Sequence, residues 1–190
     1  MKRSQRAAML TLLNREMLKR GSWCGETHLQ KAAFFLQDLL RVDTGFDFIL
    51  YRHGPFSFDL RDELASMQAD SLLELEIKRE GYGPTYVPTQ FSEVFLQRFP
   101  KTTARYMKQI KFIAEELSDK GVAELERLAT AFFIVDREGI HQIGHRSQRL
   151  VELKPHISAH EALAASEQVD RLIEKAVPFR LKEESFQPSE

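Results

Sequence analysis

Apolar residues recur at intervals of three and four along most of the chain, a spacing that predicts a mainly helical fold. The first predicted helix spans residues 4–20 and ends at Gly21, a residue that commonly stops a helix. The second begins at Thr27, where Thr27 and Gln30 fit a capping box. This second helix is apolar around most of its circumference, so we expect it to lie in the centre of the fold.

A shorter segment with strand character follows the second helix. Residues 46–51 predict a strand, and His53-Gly54-Pro55 predicts the turn that ends it. Ser57 is a favourable N-cap for a third helix over residues 58–69. Beyond that helix, two runs of strand-forming residues flank a glycine- and proline-containing turn, which predicts a β-hairpin over residues 72–78 and 85–87.

The rest of the chain has helical spacing. The predicted helices cover residues 91–99, 102–117, 122–136 and 158–176, and the last begins with a capping box formed by Ser158 and Glu161. The predicted fold class is mainly α with a small β-hairpin (α+β). We expect one domain over residues 1–176, with a winged-helix-like core in residues 1–90, a C-terminal helical extension in residues 91–176, and a flexible tail over residues 177–190.

Composition and charge narrow the classes of protein to which the chain can belong. Its 190 residues suit one domain, and a formal net charge of −1 argues against coating nucleic acid through bulk charge. Cys24 is the single cysteine, so no internal disulfide can form, which favours a reducing compartment. Polar residues at 14–16 interrupt the N-terminal apolar run, and no stretch approaches the ~20 apolar residues of a membrane span. We expect a cytoplasmic protein.

Charge is unevenly distributed between two of the predicted helices. The stretch over residues 57–70 contains four acidic residues and a single basic one, so phosphates would be repelled by its outer face. One hypothesis is that Asp59, Asp62 and Glu63 imitate phosphates and occupy a partner that handles nucleic acid.

The first helix is basic instead, and two interpretations of it stay open. It is either a solvated helix face or a contact surface for an acidic partner. The candidate basic contact face consists of Arg3, Arg6, Arg15 and Lys19.

The histidines raise the question of a metal site. Two pairs have the four-residue spacing that can place imidazoles on one helix face, namely His141 with His145 and His156 with His160. No glutamate completes an His-Glu-x-x-His motif, and glycines disturb helix geometry around the first pair. We therefore expect surface or hydrogen-bonding histidines, with neither a metal nor a cofactor.

No set of residues in the sequence assembles a nucleophilic active site. Cys24 has His28 nearby but no third group that would orient the pair. Ser57 lacks the Gly-x-Ser-x-Gly context, and helix capping already explains its presence. Residues 81–84 lack the length and the lysine of a phosphate-binding loop. We expect the protein not to be an enzyme.

The turn around His53 is the most informative candidate for recognition. His53 either hydrogen-bonds within its own turn or marks a functional edge, because loops on rigid scaffolds often carry recognition. Phe56 and Phe58 are predicted to pack in the core or against the wing, although an exposed phenylalanine here would be an interface anchor. The predicted partner-binding residues are His53, Phe56, Asp59, Asp62 and Glu63.

Four stretches of the chain resemble the YwgA-like and Panacea (SocA-like antitoxin) domains. Residues 27–36 are similar to the opening helix of that family, which typically contains Leu-Gln-Lys-Leu-x-Tyr-Phe, and residues 51–60 resemble its Tyr-Gly-Pro-(Phe/Tyr)-Ser turn. Residues 83–89 lie where such domains close their wing, and residues 154–158 resemble the C-terminal segment of the YwgA type.

The resemblance extends from Thr27 to Ala176 and has one departure. The His-x-x-Trp-like feature near the end of many Panacea domains is absent, since Trp23 is the only tryptophan, and this favours the YwgA-like branch. The resemblance implies a winged-helix-like domain that acts by binding proteins. Panacea domains neutralise diverse toxins, and SocA-like members can deliver a toxin to a protease.

Two hypotheses about function follow. The first is a protein-interaction module in a toxin–antitoxin or phage-defence system, whose partner is a protein encoded nearby. The second is a winged-helix transcription regulator that touches DNA through the basic first helix or through Lys78 and Arg79 of the wing. We expect the partner to be a protein rather than nucleic acid or a membrane.

Overall fold

A computed structural model describes residues 1–181 and confirms the predicted fold class, mainly helical with a small β component. None of the helices in that range has the length and apolarity needed to cross a membrane. Within it there are eight α-helices: α1 (Arg3–Leu18), α2 (Glu26–Phe34), α3 (Phe58–Ala69), α4 (Gln90–Gln97), α5 (Pro100–Leu117), α6 (Val122–Glu138), α7 (Ile143–Leu153) and α8 (Ala159–Ala176).

The four strands of residues 1–181 form two separate antiparallel hairpins. The predicted wing is confirmed as β3 (Leu73–Glu76) paired with β4 (Thr85–Pro88). The other hairpin pairs β1 (Ile49–Tyr51) with β2 (Gly54–Phe56), and the sequence analysis missed β2. Gly54 has a φ of +82°, a left-handed conformation that suits glycine and lets the chain reverse directly after β1.

The strand predicted over residues 46–51 is shorter than expected because a side chain takes the place of a partner strand. The amide group of Gln37 accepts from the Phe46 N–H at 3.0 Å and donates to the Phe46 carbonyl at 2.9 Å. The backbone is thereby satisfied without a ladder, and Phe46 and Phe48 enter the core from an irregular segment.

The start of α2 corrects one predicted cap, whereas two others are confirmed. The N-cap of α2 is Gly25, without a side-chain cap, so the Thr27–Gln30 capping box is wrong. The Gln30 side chain instead bonds the backbone of Ser57. Ser57 caps α3 by accepting from Leu60 N–H at 3.3 Å, and Ser158 forms the predicted capping box at α8.

Helix α7 was not predicted, and its inward face combines Leu150, Val151 and Leu153 with a buried arginine. One of its two buried residues is Arg146, which is 1% exposed. Its guanidinium donates to the Ser166 carbonyl at 2.8 Å and to Asp170 at 2.6 Å, both on α8. A buried arginine satisfied by another helix interrupts the apolar periodicity, which is the signal on which helix prediction depends.

One hydrophobic core joins the two parts of the chain. Helix α1 packs mainly against α5 and β4, whereas α2 packs against α6, and α6, α7 and α8 contact one another. Phe34 lies at the centre, with ring centroids 5.3 Å from Phe48 and 5.6 Å from Phe132. Residues 1–90 thus share their core with the helices that follow them.

Part of the segment predicted as a tail is packed onto the fold. A 3₁₀ turn covers Val177–Phe179, and the Phe179 ring stacks on Phe112 with centroids 4.5 Å apart. The Leu181 N–H donates to the Leu40 carbonyl at 2.9 Å. The remainder of the predicted tail, residues 182–190, lies outside the described residues.

We expect Phe34→Ala to lower the free energy of unfolding by about 3–5 kcal/mol, because it removes a fully buried ring that contacts other aromatic rings. Chemical denaturation followed by circular dichroism measures the change. Phe91→Ala is the control, since Phe91 is 56% exposed on α4 and should cost well under that amount. Equal losses in the two variants would contradict the placement of Phe34.

Candidate interaction site

Two buried lysines hold the turn of the β1–β2 hairpin from beneath. Lys31 of α2 is 1% exposed, and its ammonium donates to the Pro55 carbonyl at 2.9 Å. Lys154, which directly follows α7, donates to the carbonyl of Tyr51 at 2.8 Å and to that of Arg52. Ammonium groups from two distant segments therefore fix the backbone of this turn.

A buried carboxylate lies among these cations. Glu126 of α6 places Oε1 3.4 Å from Lys154 Nζ and 3.5 Å from His156 Nε2, whereas Oε2 is 3.4 Å from His53 Nδ1. The pKa of Lys31 is lowered to about 8, mainly by burial; the Glu126 carboxylate opposes the shift and the Lys154 ammonium contributes to it. One carboxylate thus lies close to the Lys154 ammonium and to two exposed imidazoles, and it also attracts the Lys31 ammonium.

Position 54 in this cluster accommodates only glycine. A Cβ atom there would lie 2.9 Å from Thr130 Oγ1 and 3.4 Å from the Glu126 carbonyl. Next to it, Gln30 accepts from the Ser57 N–H and donates to the Ser57 carbonyl, both at 2.9 Å. The turn is thereby packed tightly against α2 and α6.

Three of the four stretches that carry the family resemblance meet at this site. Residues 27–36 supply Lys31, residues 51–60 form the turn, and residues 154–158 begin with the lysine that holds it. The fourth stretch, residues 83–89, lies elsewhere, beside Trp23. The motif residues therefore have a shared structural task, which is to fix this hairpin.

The outer side of the hairpin presents a cluster of apolar side chains, which we call the aromatic face: Ile49, Tyr51 and Phe58, which are exposed, and Phe56, which is half-buried. Tyr51 is 46% exposed and Phe58 41% exposed. The ring centroids of Tyr51, Phe56 and Phe58 lie 5.1–5.7 Å from one another. Phe58 was expected in the core or against the wing, and its exposure corrects that expectation.

A shallow cavity of about 390 Å³ adjoins the aromatic face. Residues 50–52 line one side of it and residues 153–156 line the other. Tyr51 belongs to both features, so the cavity and the aromatic face form one continuous surface. Among the predicted partner-binding residues, Phe56 lies in the aromatic face, and His53 is exposed at the turn beside it.

The predicted acidic surface on α3 is only partly open. Asp59 and Asp62 are exposed, and Asp62 lies 3.3 Å from the Arg61 guanidinium. Glu63 is 5% exposed and pairs with Arg3 at 3.2 Å and with a second arginine of α1. Its inclusion in an open acidic surface was wrong, because α1 covers it.

The predicted basic contact face is neutralised within the fold. Arg3 and Arg6 pair with Glu63, and Arg3 also lies 2.7 Å from Asp70. Two further pairs complete the set, Arg15 with Glu93 at 2.8 Å and Lys19 with Glu16 at 3.0 Å. Each of the four basic residues therefore has an acidic partner within the fold, which favours the interpretation as a helix face over that as a contact surface for an acidic partner.

The remaining candidates for chemistry are placed as follows. Cys24 is fully buried, and burial raises the pKa of its thiol to about 11, so the thiolate needed for nucleophilic attack is scarce at neutral pH. His141, His145 and His160 lie on the surface, and His156 faces Glu126. Within residues 1–181, no three His, Cys, Asp or Glu side chains are placed to hold a metal ion.

Sequence reasoning missed the residues that support the turn, which are Lys31, Glu126, Thr130 and Lys154. Lys31 and Lys154 carried a usable signal, because both lie in stretches that resemble the family. Glu126 and Thr130 have no such signal, and only the fold brings them to the hairpin.

No protein-family model matches the chain, and no curated protein matches it either. The likeness to the Panacea/YwgA-like family therefore remains a hypothesis that rests on the quoted motifs.

We expect Gly54→Ala to destabilise the protein more than Gly81→Ala does. Both glycines have nearly the same left-handed φ, +82° and +81°, so the backbone cost of alanine is similar, at about 1–2 kcal/mol. Only Gly54 has a neighbour in the path of a Cβ atom, whereas Gly81 has open space. Thermal unfolding of both variants isolates this steric contribution. Adding Thr130→Ala to Gly54→Ala should recover part of it, and equal losses in the two single variants would contradict the geometry.

We expect the stability of the wild-type protein to rise relative to Lys31→Met as pH increases from about 8 towards 10.5. In that interval the unfolded chain retains the Lys31 proton and the folded protein releases it. The unfolded state then binds more protons, so the free energy of unfolding increases with pH, by about 3 kcal/mol over the whole interval. Urea denaturation across this range measures the difference, and titration of the Cys24 thiol cancels because both proteins contain it. A difference independent of pH would contradict the burial of a charged Lys31.

Proposed function

We propose that this protein is a protein-interaction module of the Panacea/YwgA-like kind, acting in the cytoplasm as an antitoxin or adaptor. It binds a partner protein and either blocks the surface through which that partner acts or delivers the partner to a protease. No covalent bond is made or broken. The observation that carries the proposal is the aromatic face, held out on a hairpin whose backbone is fixed by Lys31 and Lys154.

The aromatic face has the chemistry of an interface centre. Aromatic side chains dominate the binding energy of protein interfaces, and clustered exposed ones mark contact sites. Its rim carries mixed charge, with Arg52 and Arg61 on one hand and Asp59 and Asp62 on the other. A partner with an apolar patch and a polar rim matches this surface.

Rigidity of the hairpin adds to this support. The turn is fixed by hydrogen bonds from two buried ammonium groups, and Gly54 packs against α6. A surface that is already ordered loses little conformational freedom on binding, so more of the contact energy appears as affinity. The same residues account for the motifs that resemble the family.

The alternative, a DNA-binding regulator, receives less support. The basic residues of α1 are paired with carboxylates, and releasing them to phosphates would leave Glu63 buried without a partner. Phosphate contacts would instead have to come from the wing, where Arg79 lies over the Tyr82 ring at 4.6 Å.

The test is co-expression with the products of the neighbouring genes. We expect one of them to arrest growth and the wild-type protein to restore it and to co-purify with it. Tyr51→Ser with Phe58→Ser should abolish rescue and weaken binding by about 30-fold or more, since hot-spot losses exceed about 2 kcal/mol. Phe91→Ser, which removes an exposed ring on α4, is the matched control and should retain rescue.

Two results would contradict the proposal. The first is undiminished partner binding by the Tyr51/Phe58 double variant, with its thermal stability unchanged. The second is binding to duplex DNA that weakens steeply with salt, because counterion release on phosphate contact favours the regulator.

A further inference from the structure

A cleft of about 570 Å³ lies on another part of the surface, away from the residues of the aromatic face. It is bounded by the start of α2, the connection from α5 to α6, and residues 82–84 of the wing. Trp23, Tyr82 and Tyr86 line it, with the Trp23 and Tyr82 ring centroids 5.4 Å apart. Its volume and concavity are those of small-molecule sites, which usually fall in the range of about 300–1,000 Å³.

The aromatic wall is fixed in place. Trp23 Nε1 donates to the Gly83 carbonyl at 2.9 Å, which ties the indole to the wing. Gly25 lies against the same ring, since a Cβ atom there would come within 3.2 Å of Trp23 Cδ1. The cleft is therefore defined by the fold rather than by a loosely placed side chain.

Two polar side chains at the cleft have unsatisfied atoms. Glu26 has a buried carboxylate oxygen, Oε1, with no hydrogen-bond partner among residues 1–181. Ser118 is 5% exposed, and its hydroxyl likewise has no partner in the described part of the chain. Buried polar atoms in folded proteins are usually hydrogen-bonded, and these two belong to residues that line the cleft, so they are available to a ligand there.

The charges around the cleft favour a cation. Glu26 and Asp119 contribute two carboxylates, whereas the one ammonium group, that of Lys120, is already 3.4 Å from Asp119 and 3.2 Å from Glu124. Burial lowers the pKa of His28, so its imidazole adds no positive charge at neutral pH. A ligand cation finds here an unpaired carboxylate oxygen and the rings of Trp23 and Tyr86, whose faces attract cations, whereas the Tyr82 ring already has the Arg79 guanidinium 4.6 Å from its centroid.

The competing interpretation is an anion site, because α2 and α6 both begin at this cleft with glycine N-caps and no side-chain cap. Each of these helices, however, carries a glutamate in its first turn, Glu26 and Glu124, which already compensates the positive end of the helix. An added anion would also lie beside Asp119. Repulsion by these carboxylates decides against it.

We infer that this cleft binds a small organic cation, an ammonium or guanidinium group on an aromatic or apolar body. The Glu26 carboxylate accepts from the cationic group, the Ser118 hydroxyl provides a further polar contact, and the body lies against Trp23 and Tyr82. This site is separate from the aromatic face, so it adds ligand binding to the proposed interaction role.

The single tryptophan makes the inference directly testable. Three probes of similar shape differ in charge: 2-phenylethylamine (cation), 3-phenylpropan-1-ol (neutral) and 3-phenylpropionate (anion). We expect the amine to change Trp23 fluorescence saturably, the alcohol to bind about tenfold more weakly or worse, and the propionate not to bind. Excitation at the red edge of the indole band avoids absorption by the probes.

Variants locate the interaction. Glu26→Gln should weaken amine binding by about tenfold or more, because a hydrogen bond to a charged group contributes that much. Glu80→Gln removes a carboxylate from the exposed wing outside the cleft and should leave the affinity unchanged. Partner binding through the aromatic face should be unaffected by Glu26→Gln, which keeps this test separate from that of the proposed function.

Three outcomes would overturn the inference. They are propionate binding as tightly as the amine, the alcohol binding equally well, and no saturable change with the amine up to about 10 mM. All three are measured on the wild-type protein, so they remain decisive even if Glu26→Gln fails to fold.

Discussion

The hydrogen bond from Lys31 to the Pro55 carbonyl is the interaction on which the candidate site depends. Removing an ammonium group from water is costly, and the nearby Glu126 carboxylate offsets only part of that cost because Lys154 competes for it. The buried Lys31 ammonium therefore has an energetic cost, and its structural effect is to fix the backbone of the hairpin. Because the turn is held from the inside, its outer side chains need not pack inward, and the aromatic face remains available for contact.

Charge pairing across α1 and α3 changes the interpretation of both helices. Considered alone, α1 is basic and suggests an acidic partner, whereas α3 is acidic and suggests a partner that handles nucleic acid. In the fold, Arg3 and Arg6 converge on Glu63, and the two charge excesses cancel at their contact. The open acids Asp59 and Asp62 keep a modest negative rim beside the aromatic face. The charges at this surface therefore help to orient a bound partner more than they increase its affinity.

Periodicity predicted most helices and the wing because those elements bury apolar residues at regular spacing. It failed where polar groups are buried: Arg146 interrupts the apolar inward face of α7, and the Gln37 amide replaces a strand partner at Phe46. The candidate site was predictable in part, since its turn was recognised from His53 and Phe56. Its support was not, because Glu126 and its cationic partners meet only through long-range contacts that no local pattern records.

The contact between Lys154 and the Tyr51 and Arg52 carbonyls joins residues about a hundred positions apart. During synthesis on the ribosome, the hairpin emerges long before the lysine that anchors it. Closing so long a loop is slow compared with forming local helices. A nascent chain would thus carry the aromatic residues on a hairpin that Lys31 can contact but Lys154 does not yet anchor, and it would gain its binding-competent shape only after most of the helical part has been translated.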